Sequence, residues 1–390
     1  MPGLRLAVVE TAETAQAPEF RYLASWVRQE AETVFGAVRD LPPDEIPDRS
    51  PAGGPDAGAP LLILDSRTLV ARRSLERMAS ALAGGAPAAA PVALAESGLV
   101  AESPVYTLRG FEELERRFLQ RSAPGAGGPA GNGAAPCLLL ASGVADDRTP
   151  RELLAEGAFP EAARAGLCHR FADYYGQARE DVIAPLVDGI EEPGTELGEV
   201  LEIGCGRGAT GALLQERLGC RVTGVELNPE VARAAAGALH RVLPEDFHAA
   251  ADRLLREVEA GAPRFDALVA LELFEHLTDQ EGFLALARRL VRPGGRIVLS
   301  VPNVGHHAVV EDLLAGRWDY LPIGLLCYTH YRFFTRKTLE DWLRRCGFRS
   351  FRLVAQETEL PERFRGEVVG LETDVESLAT KGFFVVVDNE

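Results

Sequence analysis

Residues 199–211 read Glu-Val-Leu-Glu-Ile-Gly-Cys-Gly-Arg-Gly-Ala-Thr-Gly. Glycines alternate at 204, 206 and 208 behind a short apolar run, and Glu202 sits just ahead of the first. Glycines so spaced let the backbone turn sharply and approach a ligand with no Cβ in the way. Val200, Leu201 and Ile203 suit a strand buried on both faces of a parallel sheet. Thr210 to Leu218 suits a helix whose amide end closes over the ligand. Two chemistries compete for such a turn. Gly206, Gly208 and Gly211 satisfy the G-x-G-x-x-G pattern of dinucleotide sites, but a carboxylate beside the turn would repel a pyrophosphate. Glu202 favours a cationic ligand instead, one carrying an ammonium or a sulfonium. Glu226 follows Gly208 by 18 residues and closes the next apolar run, Arg221–Glu226. A carboxylate there accepts hydrogen bonds from both hydroxyls of a ribose, and Leu227 would lie against the attached base. A further run, a strand at Ala267 to Leu271, leads into Glu272-Leu-Phe-Glu275-His276. It delivers two carboxylates and an imidazole to the strand-end crevice where open α/β sheets bind ligands.

These motifs resemble those of class I S-adenosylmethionine-dependent methyltransferases, and the resemblance spans roughly Phe171 to Val387. It implies a Rossmann-like seven-stranded methyltransferase sheet with helices on both faces. It also implies that Glu202, Gly204, Cys205, Gly206 and Gly208 cradle the donor, while Glu226 and Leu227 hold its ribose and adenine. In the family an acid at the third strand end hydrogen-bonds the adenine amino group, and Asp246, followed by Phe247, matches that position. Tyr174, Tyr175 and Arg179 match residues that cover the donor, and Glu272 borders it. Methyl transfer from a sulfonium is an in-line displacement, so alignment supplies up to ~7–11 kcal/mol of the barrier reduction. A hydroxyl acceptor must also lose its proton to a base or a metal. His276, with Glu275 beside it, is the expected base, because an unperturbed imidazole titrates near neutrality. Glu272-x-x-Glu275-His276 also resembles the E-x-x-E-H arrangement of small-RNA 3′-terminal 2′-O-methyltransferases, which complete a magnesium site with a downstream histidine. The Thr329–Thr335 segment is similar to the one carrying it. Glu272, Glu275, His276 and His330 would then hold a divalent metal, magnesium or manganese.

The acceptor is expected to be a hydroxyl on a sugar or glycan precursor. Asn303, His306, His307, Trp318, Asp319 and Tyr320 offer polar partners beside an aromatic platform, and sequences resembling this half often accompany glycosyltransferases. The alternatives are a small aromatic or polyketide-type metabolite, a terminal ribose 2′-hydroxyl, or a non-catalytic donor-binding subunit. A formal charge of −17 disfavours nucleic acid, whose binding rests on phosphate neutralisation. The basic residues gathered between Arg332 and Arg352 read as a solvated helix face.

A chain of 390 residues exceeds what one core usually holds, so two domains are expected, 1–145 and 146–390. Leu41–Pro60 and Ser122–Pro136 have the Pro, Gly and Ala content of loops. Before them and between them lies an α/β pattern: a strand at Leu4–Val9, a helix at Phe20–Phe35, a strand at Leu61–Asp65, and helices at Leu69–Leu82 and Phe111–Leu119. Pro60 to Arg67 resembles the strand and metal-binding motif of nucleotide-sugar glycosyltransferases. Asp65-Ser66-Arg67 lacks the second acid, which implies a degenerate, non-catalytic relative. A glycosyltransferase partner held through residues 1–120, or a homo-oligomer, is the expected assembly. The six cysteines are scattered with no C-x-x-C pair, the usage of reduced thiols in a cytoplasmic protein. No leader and no membrane-spanning apolar run is expected.

Overall fold

The computed structural model describes residues 4–10, 18–40, 42, 44, 59–65, 68–86, 88–93, 107–121, 137–140, 149–155, 163–170, 177–188, 197–321, 324–364 and 374–389. The chain divides into two compact units, Met1–Ala172 with Asp319–Ile323, and Asp173–Trp318 with Gly324–Glu390. The first unit extends past the boundary expected at 145, because Pro150–Ala155 and Ala163–Arg170 still build its elements.

The first unit runs β1 (Leu4–Val9), α1 (Pro18–Phe35), β2 (Val38–Asp40), β3 (Leu61–Asp65), β4 (Thr68–Val70), α2 (Arg72–Ala83), β5 (Ala88–Ala93), α3 (Leu108–Arg121), β6 (Cys137–Leu140), α4 (Pro150–Ala155) and β7 (Ala163–Arg170). Its sheet has the order β2-β1-β3-β6-β5-β7-β4. Strand β1 lies parallel to β2 and β3, and β6 is antiparallel to both its neighbours. Phe20, Val27, Leu75, Met78 and Phe111 are buried in its core. The helix expected from Leu69 starts later, at Arg72, because Leu69 and Val70 pair with β7 instead. A three-residue apolar run carries no period that separates strand from helix.

The second unit holds α5 (Ile183–Val187), β8 (Glu199–Ile203), α6 (Ala209–Leu218), β9 (Arg221–Val225), α7 (Pro229–Ala235), β10 (Arg241–Leu243) and α8 (Phe247–Glu259). It continues with β11 (Phe265–Leu271), α9 (Gln280–Leu290), β12 (Val291–Pro302), α10 (His307–Leu314), α11 (Arg336–Arg345), β13 (Arg352–Glu357), α12 (Val375–Leu378) and β14 (Thr380–Asp388). The expected seven-stranded sheet is present, in the order β10-β9-β8-β11-β12-β14-β13. Its first five strands are parallel, and β14 runs antiparallel to β12 and β13.

Side chains of the central strands alternate between two apolar layers, as the two-residue period of a strand demands. Leu201, Ile203, Leu268, Ala270, Ile297 and Leu299 pack with Phe247 and Leu254 of α8, Phe283 of α9 and Leu339 of α11. Val200, Val222, Ala267, Val269 and Val298 pack with Leu186 of α5, Leu214 of α6 and Ala235 of α7. Burial on both faces explains why β8 and β11 read as continuous apolar runs. Ahead of β8, within the described residues, a 3-10 turn at Glu180–Val182 passes into α5. Arg292–Gly295 lies inside β12.

Among the described residues no helix is long and apolar enough to cross a membrane. Cys205, Cys220, Cys327 and Cys346 are free thiols. The basic face near the C-terminus is largely neutralised in place. Lys337 and Arg344 pair with Asp341 and Glu340, Arg336 and Arg352 pair with Glu376 and Asp188, and Arg332 and Arg345 lie over the Trp342 ring.

Candidate active site

The glycine turn leaves β8 through three left-handed positions, with φ of 71° at Gly204, 55° at Gly206 and 82° at Gly208. Only glycine adopts these without a steric cost. The Gly204 and Cys205 amides are both tied to the Val225 carbonyl, at 2.8 and 3.1 Å, which fastens the turn to the end of β9. Gly208 is the N-cap of α6. The Cys205 side chain faces inward against Leu239 and Val222, and burial holds its thiol well above the usual range.

Glu226 anchors this turn. One carboxylate oxygen accepts from the Gly206 amide at 3.0 Å and the other from the Asn228 amide at 2.8 Å. Burial raises its pKa, with the backbone amides of Asn228, Gly206 and Leu227 working against the shift. Three amides on a group with about four lone-pair sites leave room for a ribose hydroxyl. Beside it Leu227 is 72% exposed, a large apolar side chain held open at a strand end, as a platform for a flat base would be.

Glu202 occupies a different place from the one its spacing suggested. It is 4% exposed, and its carboxylate lies against the first turn of α6 and accepts from the Gly211 amide. Its Oε2 has no hydrogen-bond partner. Burial, with the nearby Glu226 charge adding to it, raises its pKa to about 8. A methyl group on Gly211 would stand 2.5 Å from Oε2, so this glycine is needed for the carboxylate to fit. Asp246 is exposed at the end of the loop after β10, where it caps α8 by accepting from the His248 and Ala249 amides. Phe247 turns inward, its ring centroid 4.7 Å from that of Phe283.

At the end of β11 the chain is strained. Glu272 has φ +48°, the one non-glycine residue with positive φ among those described. Such geometry costs of order 1–3 kcal/mol and persists where its surroundings over-determine it. Here the Glu272 amide donates to Ser300 Oγ at 2.8 Å, and the same hydroxyl donates to Glu272 Oε1 at 2.6 Å. Arg179 reaches the same carboxylate oxygen at 3.5 Å, contacts Gln356 at 3.0 Å and pairs with Asp181. Tyr174 and Tyr175 lie outside the described residues.

The 3-10 turn that follows carries Glu275 and His276. Glu275 is fully buried, and neither carboxylate oxygen has a hydrogen-bond partner. Burial and the charge on Glu272 raise its pKa well above the ordinary value. The segment after β12 is clipped over this turn by the Tyr331 amide, which donates to the Glu275 carbonyl at 2.9 Å. That clip brings His330 Nε2 to 3.7 Å from Glu275 Oε1 and sets the His276 and His330 rings edge to face, 4.6 Å between centroids. Burial lowers the pKa of His276 to about 4, and burial with the neighbouring imidazole lowers that of His330 to about 3. Both are neutral at physiological pH, and burial makes His276 a weaker base than the near-neutral imidazole expected. His276, Cys327 and His330 each place a donor atom within 4.8 Å of the others. Of the four residues expected around a metal, Glu275, His276 and His330 therefore converge, while the Glu272 carboxylate is taken up by Ser300 and Arg179. Cys327 joins them without having been anticipated.

The expected acceptor wall is mostly spent on structure. Asn303 is fully buried, donating to the Ser377 and Thr380 carbonyls and accepting from Gly305. His306 is fully buried as the N-cap of α10, with Nε2 3.0 Å from Thr358 Oγ1. Trp318 packs edge-on against Phe333. Asp319 and Tyr320 belong to the first unit. His307 remains, packed near Phe364 with Nδ1 unpartnered.

The sheet order, the glycine turn and the carboxylate after β9 define a class I S-adenosylmethionine-dependent methyltransferase. The chain belongs to that family: the methyltransferase-domain family matches residues 174–352. An enzyme of Pseudomonas aeruginosa (strain UCBPP-PA14) named ubiquinone biosynthesis O-methyltransferase is 30% identical over 191 residues, covering 46% of this chain and 78% of its own length. One of the same name from Nitrosococcus oceani is 27% identical over 221 residues, covering 55% of this chain and 90% of its own. Another, from Xanthomonas axonopodis pv. citri, is 32% identical over 155 residues, covering 38% of this chain and 61% of its own.

Proposed function

We propose that this enzyme methylates a hydroxyl of a small aromatic acceptor, with His276 taking the hydroxyl proton. The observation that carries the reading is a neutral, half-buried imidazole at the crevice end of β11, where an acceptor hydroxyl would meet the donor. S-adenosylmethionine, when bound, supplies the electrophilic methyl group. Glu226 holds the ribose, Leu227 and the exposed Asp246 flank the adenine, and the turn from Gly204 to Gly208 leaves room for the donor backbone. Glu202 supports that turn from beneath, through the Gly211 amide, and Arg179 with Glu272 borders the donor's amino-acid end. The relatives' shared name favours an aromatic acceptor over the sugar hydroxyl expected from the sequence. Asn303 and His306, counted as sugar partners, are committed to the backbone and to Thr358.

The test is His276→Asn, assayed with 3,4-dihydroxybenzoate as a probe catechol. The rate is expected to fall by ~10²–10⁴ with affinity for S-adenosylhomocysteine unchanged. Methylation at the wild-type rate would remove His276 from the chemistry. Turnover of free sugars but of no catechol would restore the glycan reading.

A second reading rests on the orphaned Glu275 carboxylate beside two imidazoles. Glu275, His276 and His330 would hold a divalent cation that acidifies the acceptor hydroxyl, and Cys327 would shift the preference from magnesium or manganese toward zinc. Titration of chelator-treated protein with manganese and with zinc tests it. Saturable binding lost in His330→Ala supports the site, and binding indifferent to that change ends it.

For the first unit we keep the role of a docking module, for a glycosyltransferase or a second copy of the chain. The glycosyltransferase part of that reading rests on the sequence of the Pro60–Arg67 segment alone. A cytoplasmic location remains our expectation, drawn from the scattered thiols.

A further inference from the structure

Thr329, at the start of the segment that carries His330, is brought by the fold to the His276 imidazole. Its Oγ1 lies 3.0 Å from His276 Nδ1, across 53 positions of sequence, and 3.3 Å from Cys327 Sγ on its other side. The contact is not incidental. The Tyr331 amide on the Glu275 carbonyl, and the His330 amide on the Cys327 carbonyl at 3.1 Å, fix the segment on both sides of Thr329. Cys327 is buried, so its sulfur offers the threonine hydroxyl an internal partner.

We propose that Thr329 is a positioning residue that fixes the tautomer of His276: Nδ1–H donates to Thr329 Oγ1, whose own hydrogen points to Cys327 Sγ. A neutral imidazole carries one ring proton, so placing it on Nδ1 leaves the Nε2 lone pair as the proton acceptor. Nearby hydroxyl and thiol groups in this arrangement do for His276 what a carboxylate or carbonyl does for other functional histidines. The inference rests on the reading of His276 as the base, but its structural half can be measured separately.

The full-length chain, labelled with 15N-histidine and saturated with S-adenosylhomocysteine, reports the tautomer directly by NMR, with His276 assigned by its loss in His276→Asn. The expected result is an Nδ1–H imidazole in the wild type and in Thr329→Ser, and loss of that preference in Thr329→Val. Methylation of 3,4-dihydroxybenzoate should fall about tenfold or more in Thr329→Val, within the ~10²–10⁴ contribution of a general base. It should recover in Thr329→Ser, with S-adenosylhomocysteine affinity the same in all three. An Nε2–H imidazole in the wild type, or an unchanged tautomer in Thr329→Val, overturns the proposal. If His276→Asn retains full activity while the tautomer behaves as described, the base assignment fails and the positioning contact stands.

Discussion

Glu202 should make the second unit lose stability as pH rises, and the size of the effect follows from its burial. In the unfolded chain this carboxyl ionises near 4.5, and in the fold its pKa is about 8. At about 1.4 kcal/mol per unit, the folded state bears a cost of about 5 kcal/mol once the group is ionised. The sign is set by proton binding. Between the two values the folded form holds a proton that the unfolded form has released, so stability declines with pH across that interval and levels off above about 8. Glu202→Gln keeps the shape and the acceptor for the Gly211 amide while removing the ionisation. Urea denaturation of wild type and variant between pH 4.5 and 8.5, without donor, gives the comparison. The transition belonging to the second unit is the one that S-adenosylhomocysteine shifts. The variant should match the wild type near pH 4.5 and exceed it by an amount that grows toward about 5 kcal/mol at pH 8. A difference independent of pH, or a variant less stable at pH 8, would refute the argument.

Other consequences can be checked in the same protein. Gly211→Ala puts a methyl group 2.5 Å from Glu202 Oε2 and 2.6 Å from Leu239 Cδ2; thermal denaturation should show a loss of at least ~1–3 kcal/mol. Glu275→Gln replaces a carboxylate whose oxygens have no partner, so its stability advantage in urea should widen as pH rises above 4.5. Leu227→Ser, at an exposed position, should leave stability within ~0.5 kcal/mol. It should weaken S-adenosylhomocysteine binding about tenfold by calorimetry, the loss of ~1.5 kcal/mol of apolar contact.

The sheet and its glycine turn were legible because the signals are local. Buried parallel strands announce themselves as apolar runs, and the turn needs glycine at fixed positions, so β8, β9 and β11 fall where expected within a residue or two. The position of Glu226 at the end of β9 was legible for the same reason, since it depends only on the strand before it. What failed was whatever depends on distant partners. Asn303 reads as a sugar ligand until Ser377, 74 positions later, claims its amide. Glu202 reads as a ligand for a cation until the packing of α6 closes over it. The acid pair of Glu272 and Glu275 reads as one site, yet Ser300 and Arg179 draw the first away and burial isolates the second. Thr329 has no periodicity or motif of its own that would single it out, and only the clip of its segment onto the Glu275 turn brings it to His276.

The most direct measurement is calorimetric titration of S-adenosylhomocysteine into the full-length chain and into Glu226→Ala. Glu226 offers a charge-assisted hydrogen bond to a ribose, worth about 1.5–3 kcal/mol, so the wild type should bind and the variant should bind more than tenfold more weakly. Absence of binding to the wild type, or equal affinity in the two, would contradict the assignment of this turn as a donor site.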